Sequence, residues 1–242
     1  MRYELYYWPG IQGRGEFVRL ALEDAGAEYL DMARVPEADG GGVAGMMRLL
    51  DGDAIACPPF APPFLRAGRR LIGQTANILL YLGPRLDLAP RAAAGRLWTH
   101  QLQLTIADLV VEVHDTHHPL GPTLYYEQQR AAAKRRTRAF IAERLPKFLG
   151  YFERVIARNP AGGTGLAGAR LTYADLSLAQ VVGGLRYAFP AATAAALASC
   201  PRVRDLHAAA FARPRLKRYL ASSRRLPFNN DDLFRRYPDL PG

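Results

Sequence analysis

The stretch APPFLRAGRRLIGQTANILLYL, Ala61 to Leu82, restricts the fold more than any other part of this chain. Pro62 and Pro63 bring no backbone N–H, so they belong at a sheet edge or in a turn, where an X-Pro bond is sometimes cis. A short strand, a turn at Ala67-Gly68 and a second short strand follow. Gly73-Gln74-Thr75 then opens a helix whose apolar stripe is Ile78, Leu79 and Leu82. The start of that helix offers unpaired N–H groups and the Thr75 hydroxyl, a combination that suits a carboxylate. An ordinary hairpin and helix would read the same way.

Upstream, residues 2–8 alternate around Tyr3, Leu5 and Tyr7 as a buried strand does, and Pro9-Gly10 breaks the pattern. A helix is expected from about Arg14, with Phe17, Leu20 and Ala21 inward, Arg14, Glu16, Arg19 and Glu23 on the polar side, and Gly26 as the stop. Tyr29–Val35 reads as a second strand, joined to the first by a right-handed crossover. Gly40–Gly42 needs flexibility and Val43–Leu50 suits a short helix, so residues 1–86 assemble a βαβ-ββα unit. After a Pro- and Gly-containing linker the composition changes, and residues 92–242 read as helical with an irregular tail. Arg91–His118 carries an apolar stripe (Leu102, Ile106, Leu109, Val113) and a second, polar stripe running Trp98, Gln101, Thr105, Asp108, Glu112, Asp115. Tyr126–Arg158 is a helix that Pro146 should bend. Thr172-Tyr173-Ala174-Asp175 is a capping box with Asp in place of Glu, and helices around Val203–Ala212 and Pro214–Ser223 follow.

The chain of 242 residues has a formal charge of +10, placed unevenly. Residues 1–86 hold 9 Lys/Arg against 10 Asp/Glu, whereas residues 87–242 hold 23 against 12. The excess gathers at Lys134–Arg138 and Arg213–Arg225. With no recognition motif and no interleaved aromatics, such runs read as solvated helix faces rather than a nucleic-acid surface; they can also attract a small anion. No apolar run reaches the length of a membrane span, and the N-terminus lacks the layout of a signal peptide. Cys57 and Cys200 match no metal spacing and suit a reducing compartment, so the expected location is the cytoplasm.

Gly10, Gly13 and Gly15 lie between a strand and a helix but follow G-x-x-G-x-G rather than the dinucleotide spacing. His114 and His118 are four apart and can grip a metal from one helix face. No third ligand is evident, so His114, His117 and His118 are assigned a structural role at a helix end, where His⁺ suits the dipole, and no metal is expected. Tyr7 is either a core tyrosine or a phenol at a cleft mouth. In the second case it can donate to a sulfur and favour the thiolate, which is scarce for a free thiol of pKa ~8.5 at neutral pH.

Taken in order, Leu5-Tyr6-Tyr7-Trp8, Gly13–Leu20 (GRGEFVRL), Pro63-Phe64-Leu65, Gln74–Ile78 with Tyr81-Leu82, and Leu171–Asp175 give the chain a pattern that resembles the cytosolic glutathione S-transferases over essentially its full length. The resemblance implies a thioredoxin-like α/β unit (1–86) followed by an all-helical one (92–242), as a homodimer in the cytoplasm. It implies that Tyr7 activates the thiol of glutathione, that Gln74 and Thr75 hold the γ-glutamyl end, that Pro63 is the cis-proline, and that Asp108 of a partner subunit meets the γ-glutamyl amine. A small hydrophobic electrophile would lie against the helical unit, with Trp8, His114, Tyr125, Tyr126 and the aromatic tail as expected walls. Glutathione enters as substrate; nucleic acid, membrane and metal do not figure.

Three departures mark the match. The turn after Tyr7 is one residue longer than the alpha, mu and pi patterns, so Tyr6 or Gln12 competes for the thiol. Pro62 stands where a backbone N–H normally meets the cysteinyl part of glutathione, leaving Gln12 or Arg14 to replace that bond. The second-strand region lacks a Lys/Trp pair for the glycyl carboxylate. No cysteine lies near the start of the first helix, which argues against the members that form a mixed disulfide. Conjugation is the expected activity; peroxide or disulfide reduction, and a non-catalytic binding or dimerisation role, are the alternatives.

Overall fold

The computed structural model describes residues 2–52 and 55–241. Its sheet has the order β2-β1-β3-β4, from β1 (Tyr3–Tyr6), β2 (Tyr29–Asp31), β3 (Phe64–Ala67) and β4 (Arg70–Gly73). β1 pairs parallel with β2 through α1 (Gly15–Ala25) and antiparallel with β3, and the β3–β4 hairpin closes the edge. Period-2 alternation assigns the two faces. Tyr3 and Leu5 pack with Leu65 and Ala67 under α1 and α3 (Thr75–Leu82), while Tyr6 and Phe64 face Met46 of α2 (Gly42–Leu50). The strand expected over Tyr29–Val35 ends at Asp31, because Met32–Arg34 turns into a single 3₁₀ turn.

The helical remainder comprises α4 (Ala93–His114), α5 (Tyr126–Ala139), α6 (Leu145–Ala157), α7 (Tyr173–Ala188), α8 (Pro190–Ala198), α9 (Pro201–Phe211) and α10 (Pro214–Leu220). α5 and α6 are one long run interrupted by a π turn at Phe140–Arg144. Pro146 has no N–H and its ring crowds the carbonyl of Ala142, so the backbone widens just ahead of it. α8 was not evident as a separate helix from the sequence; Pro190 at its first turn restarts the chain after Phe189 leaves helical geometry. α7 is the axis of this half, buried along nearly its whole length and packed by α1, α4, α8 and α9.

Two expectations need correction. The side of α1 read as polar is not solvated, since Glu16 and Arg19 are fully buried. Glu16 is bound by Tyr219 of α10 and by Arg225 beyond it, and Arg19 by Asp31, Glu16 and the Gln12 carbonyl. The basic run Arg213–Arg225 is likewise no free face: Arg213 pairs with Asp24, Arg224 with Glu23 and Arg225 with Glu16. In the other run Lys134 meets Asp239, Arg136 meets Glu112, and Thr137 is buried. Among the described residues no helix is long and apolar enough to cross a membrane.

The capping box forms as read. Asp175, fully buried, accepts from the N–H and hydroxyl of Thr172, both at 2.6 Å, and from the N–H of Leu166 at 2.6 Å. Asp175→Ala strands three donors and should cost about 3 kcal/mol, read as a lower urea midpoint at unchanged slope.

Candidate active site

β1 delivers Tyr7 to the edge of the cleft between sheet and helices. The loop Trp8–Arg14 then folds back so that the ring lies against Gly13 and Gly15. Gly13 has φ +43°, and a Cβ there would strike the Tyr7 hydroxyl; a Cβ at Gly15 would lie 2.6 Å from the ring. These two glycines are therefore a seat for the phenol, which is the physical meaning of the glycine pattern before α1. The Tyr7 oxygen accepts the Arg14 backbone N–H at 2.9 Å, which fills a lone pair and leaves the O–H free to donate elsewhere. Burial raises the pKa of Tyr7 above its ordinary value, outweighing the Arg14 N–H that lowers it, so the group is a neutral donor at physiological pH.

The two rivals for this role are engaged elsewhere. Tyr6 points to the other face of the sheet, stacks on Phe64 at 4.6 Å and donates to Glu4 at 2.7 Å. Gln12 is buried with its amide spent on structure, donating to the Leu226 carbonyl and accepting from Gln180 at 2.8 Å. Gln12 thus holds the C-terminal tail and has no side-chain group left for glutathione. The tail reciprocates: Asp232, buried, accepts from the N–H groups of Gln12 (3.2 Å) and Gly13 (2.7 Å).

A cavity of about 340 Å³ opens beside this loop, lined by Arg14, Phe17, Gln74–Asn77 and, from α4, His100, Gln103, Leu104, Ile106, Ala107 and Val110. Gln74 has φ +67°, which turns the chain sharply into α3, and no side chain caps that helix. Its first-turn N–H groups are thus open to a ligand. Three lining residues hold a buried polar atom with no partner among the described residues: Thr75 Oγ1, His100 Nδ1 and Gln103 Oε1. Buried polar atoms are nearly always paired, so their convergence on one cavity marks a place that takes a polar molecule. Burial lowers the pKa of His100, which keeps the ring neutral and able to accept.

The structure therefore brings Arg14, Gln74 and Thr75 together. The Pro62–Pro63 peptide is cis and leads directly into β3. Asp108 is exposed on the outer side of α4, not in the cavity wall of its own chain. The expected electrophile walls do not join this cavity. Tyr125 is exposed at the start of α5, Tyr126 stacks on Tyr237 at 3.7 Å and donates to Asp239, Trp8 is partly exposed, and His114 sits with His117 and His118. His100 and Gln103 were missed from the sequence; their only signal was polarity within the otherwise inward part of α4.

Known proteins share both sequence and fold with this chain. Residues 114–223 match the family model described as Glutathione S-transferase, C-terminal domain. The chain is 26% identical over 184 residues to Glutathione S-transferase P 1 of Xenopus laevis, covering 74% of this chain and 75% of that one. It is 24% identical over 192 residues to a Glutathione S-transferase of Plasmodium falciparum, covering 77% and 81%. The family model and these relatives are all glutathione S-transferases, and to the two relatives the chain is similar over 74–77% of its length. Its fold, a thioredoxin-like unit followed by helices, matches that of the Onchocerca volvulus Pi-class Glutathione S-transferase with a TM-score of 0.71, at 21% identity and 96% and 99% coverage. It also matches prostaglandin synthase D of Nilaparvata lugens with a TM-score of 0.71, at 17% identity and 94% and 100% coverage.

Gly13→Ala places a methyl where the Tyr7 hydroxyl sits and strains a positive φ. It should cost ~1–3 kcal/mol and speed amide hydrogen exchange at Arg14, whose N–H loses its phenol acceptor; unchanged protection there would show that the glycine does not seat the ring.

Proposed function

We propose that this chain is a glutathione transferase that conjugates the thiolate of glutathione to small hydrophobic electrophiles. The observation that carries the reading is the neutral, buried Tyr7 phenol, whose oxygen is already paired with the N–H of Arg14, a residue that lines the cavity holding the unpartnered Thr75, His100 and Gln103 atoms. A phenol donating to sulfur stabilises the charged form of the thiol and so enlarges the nucleophilic fraction. Thr75 and the open N–H groups of α3 would take the γ-glutamyl carboxylate, with Arg14 and Gln74 at its side. Gln103 Oε1 is the acceptor within the chain for the γ-glutamyl amine. On this reading residues 1–86 supply most of the glutathione contacts, and residues 92–242 add Gln103 and the electrophile side. A reducing cytoplasm, where glutathione stays a thiol, is the matching location.

A homodimer completes the reading. Leu97, Leu104 and Val111 recur every seven residues along α4 and are exposed, and Phe60 is 94% exposed. Asp108 lies on that same face, four positions from Leu104 and three from Val111, from which a two-fold partner would receive it at the amine. Reduction of peroxides or disulfides by glutathione uses the same thiolate. One observation favours a non-catalytic member instead: Pro62 has no N–H for the cysteinyl backbone, and Gln12 is not free to replace it. Retention on immobilised glutathione, then turnover with electrophiles, peroxides and disulfides, separates these readings; retention without turnover selects the binding role.

Tyr7→Phe should leave glutathione affinity within about twofold while lowering kcat/KM ~10²-fold and raising the apparent pKa of the conjugation step. An unaltered pH–rate profile would remove Tyr7 from the chemistry. Thr75→Ala should instead weaken glutathione binding about tenfold, the effect of losing ~1.4 kcal/mol, with the pKa of the step unmoved.

A further inference from the structure

The turn that ends α4 gathers three imidazoles that the glutathione reading leaves unused. His114 is the last residue of α4, and His117 and His118 follow in the turn, where their N–H groups both bond to the His114 carbonyl at 3.2 Å. One ring nitrogen from each residue falls within 4.8 Å of the other two. The sequence provided two ligands at helical spacing and no visible third; the turn brings in His117 as the third. We propose that His114, His117 and His118 form a binding site for a divalent late first-row transition ion, of which Zn²⁺ is the representative.

The orientation of His117 is the strongest support. Its Nε2 lies 3.0 Å from the Leu233 carbonyl, which only accepts, so Nε2 carries the proton and Nδ1 presents a bare lone pair. A carbonyl holding the remote ring N–H is the usual way a metal-binding imidazole is oriented. That Nδ1 lies 2.5 Å from His118 Nδ1, so His118 holds the proton between them. An ion there requires His118 only to move that proton to its own Nε2. Tetrahedral zinc with N ligands at about 2.0 Å sets its nitrogens ~3.3 Å apart, so the rings need to shift by about 1 Å. The turn itself is firm: the Thr116 hydroxyl donates to Val113, and Thr137 donates to the Thr116 carbonyl.

Burial holds His114 down to about 4 and His117 down to about 2, and lowers His118. This corrects the expectation of a histidinium answering the helix dipole. The charges of Arg14 and Arg235 oppose a cation here, and Asp115 favours one, with its carboxylate 3.9 Å from His114 Nδ1. An ion must therefore be held by direct bonds to nitrogen rather than by the field. That excludes Mg²⁺ and Ca²⁺, which prefer oxygen, and favours Zn²⁺, Cu²⁺, Ni²⁺ or Co²⁺. His114 is only partly buried, which leaves the site a path for an ion from solvent.

The test uses the untagged full chain, stripped with chelator, titrated with Zn²⁺ by calorimetry and with Co²⁺ by absorption. One ion per chain and the intense d–d absorption of four-coordinate Co²⁺ are expected. His114→Gln and His118→Gln should each weaken binding ~10–100-fold, while His207→Gln and Cys57→Ser should not change it. Circular dichroism identifies any variant that fails to fold, in which case the other single variant decides. Unchanged binding in a folded His114→Gln, His118→Gln double variant, loss of binding with Cys57→Ser, or weak six-coordinate Co²⁺ absorption would overturn the proposal.

Discussion

A buried guanidinium joins the two halves of the molecule. Arg19, fully enclosed, binds Asp31 at 2.7 Å, Glu16 at 3.2 Å and the carbonyl of Gln12 at 3.1 Å. Glu16 in turn accepts from the Tyr219 hydroxyl at 2.9 Å and from Arg225 at 2.8 Å. Arg225 reaches Gln180 on α7, and Gln180 donates back to Gln12, so the network closes on itself. Burying charge is expensive, and removing one partner from such a set costs ~3–5 kcal/mol because the rest are stranded. In return, α1, β2, α7 and the segment after α10 are held in one arrangement. The position of the loop that carries Tyr7 is inherited from it.

That inheritance explains why the candidate site combines rigid and open parts. Gly13 and Gly15 seat the phenol, and Asp232 holds the backbone beneath it. On the other side of the loop, the start of α3 has no side-chain cap, and Thr75, His100 and Gln103 keep unpaired atoms. The phenol's seat is thus held by the fold, while the start of α3 keeps polar groups turned to the cavity, as expected of a preorganised site.

The hairpin, the βα crossover, the Asp175 capping box and the break near Pro146 were legible because each is encoded by residues close in sequence. Tyr7, Gln74 and Thr75 were legible for the same reason, as they terminate or begin elements. What could not be read were pairings across about 200 residues. Glu16 looks like part of the wet side of an amphipathic helix until Tyr219 and Arg225 are brought against it. Gln12 looks like a free polar residue in a loop until Leu226 and Gln180 bind it. The exposed row Leu97, Leu104 and Val111 was hidden by the neighbouring polar positions of α4, since a helix with apolar residues on two sides gives no clean period.

The link from Asp232 to the N–H groups of Gln12 and Gly13 spans almost the entire chain. On a ribosome, the strand and helix that flank Tyr7 emerge some 220 residues before the carboxylate that fastens their connecting loop. A nascent chain can hence build its sheet while the phenol stays loosely held, and the loop is fastened only once Asp232 has joined it.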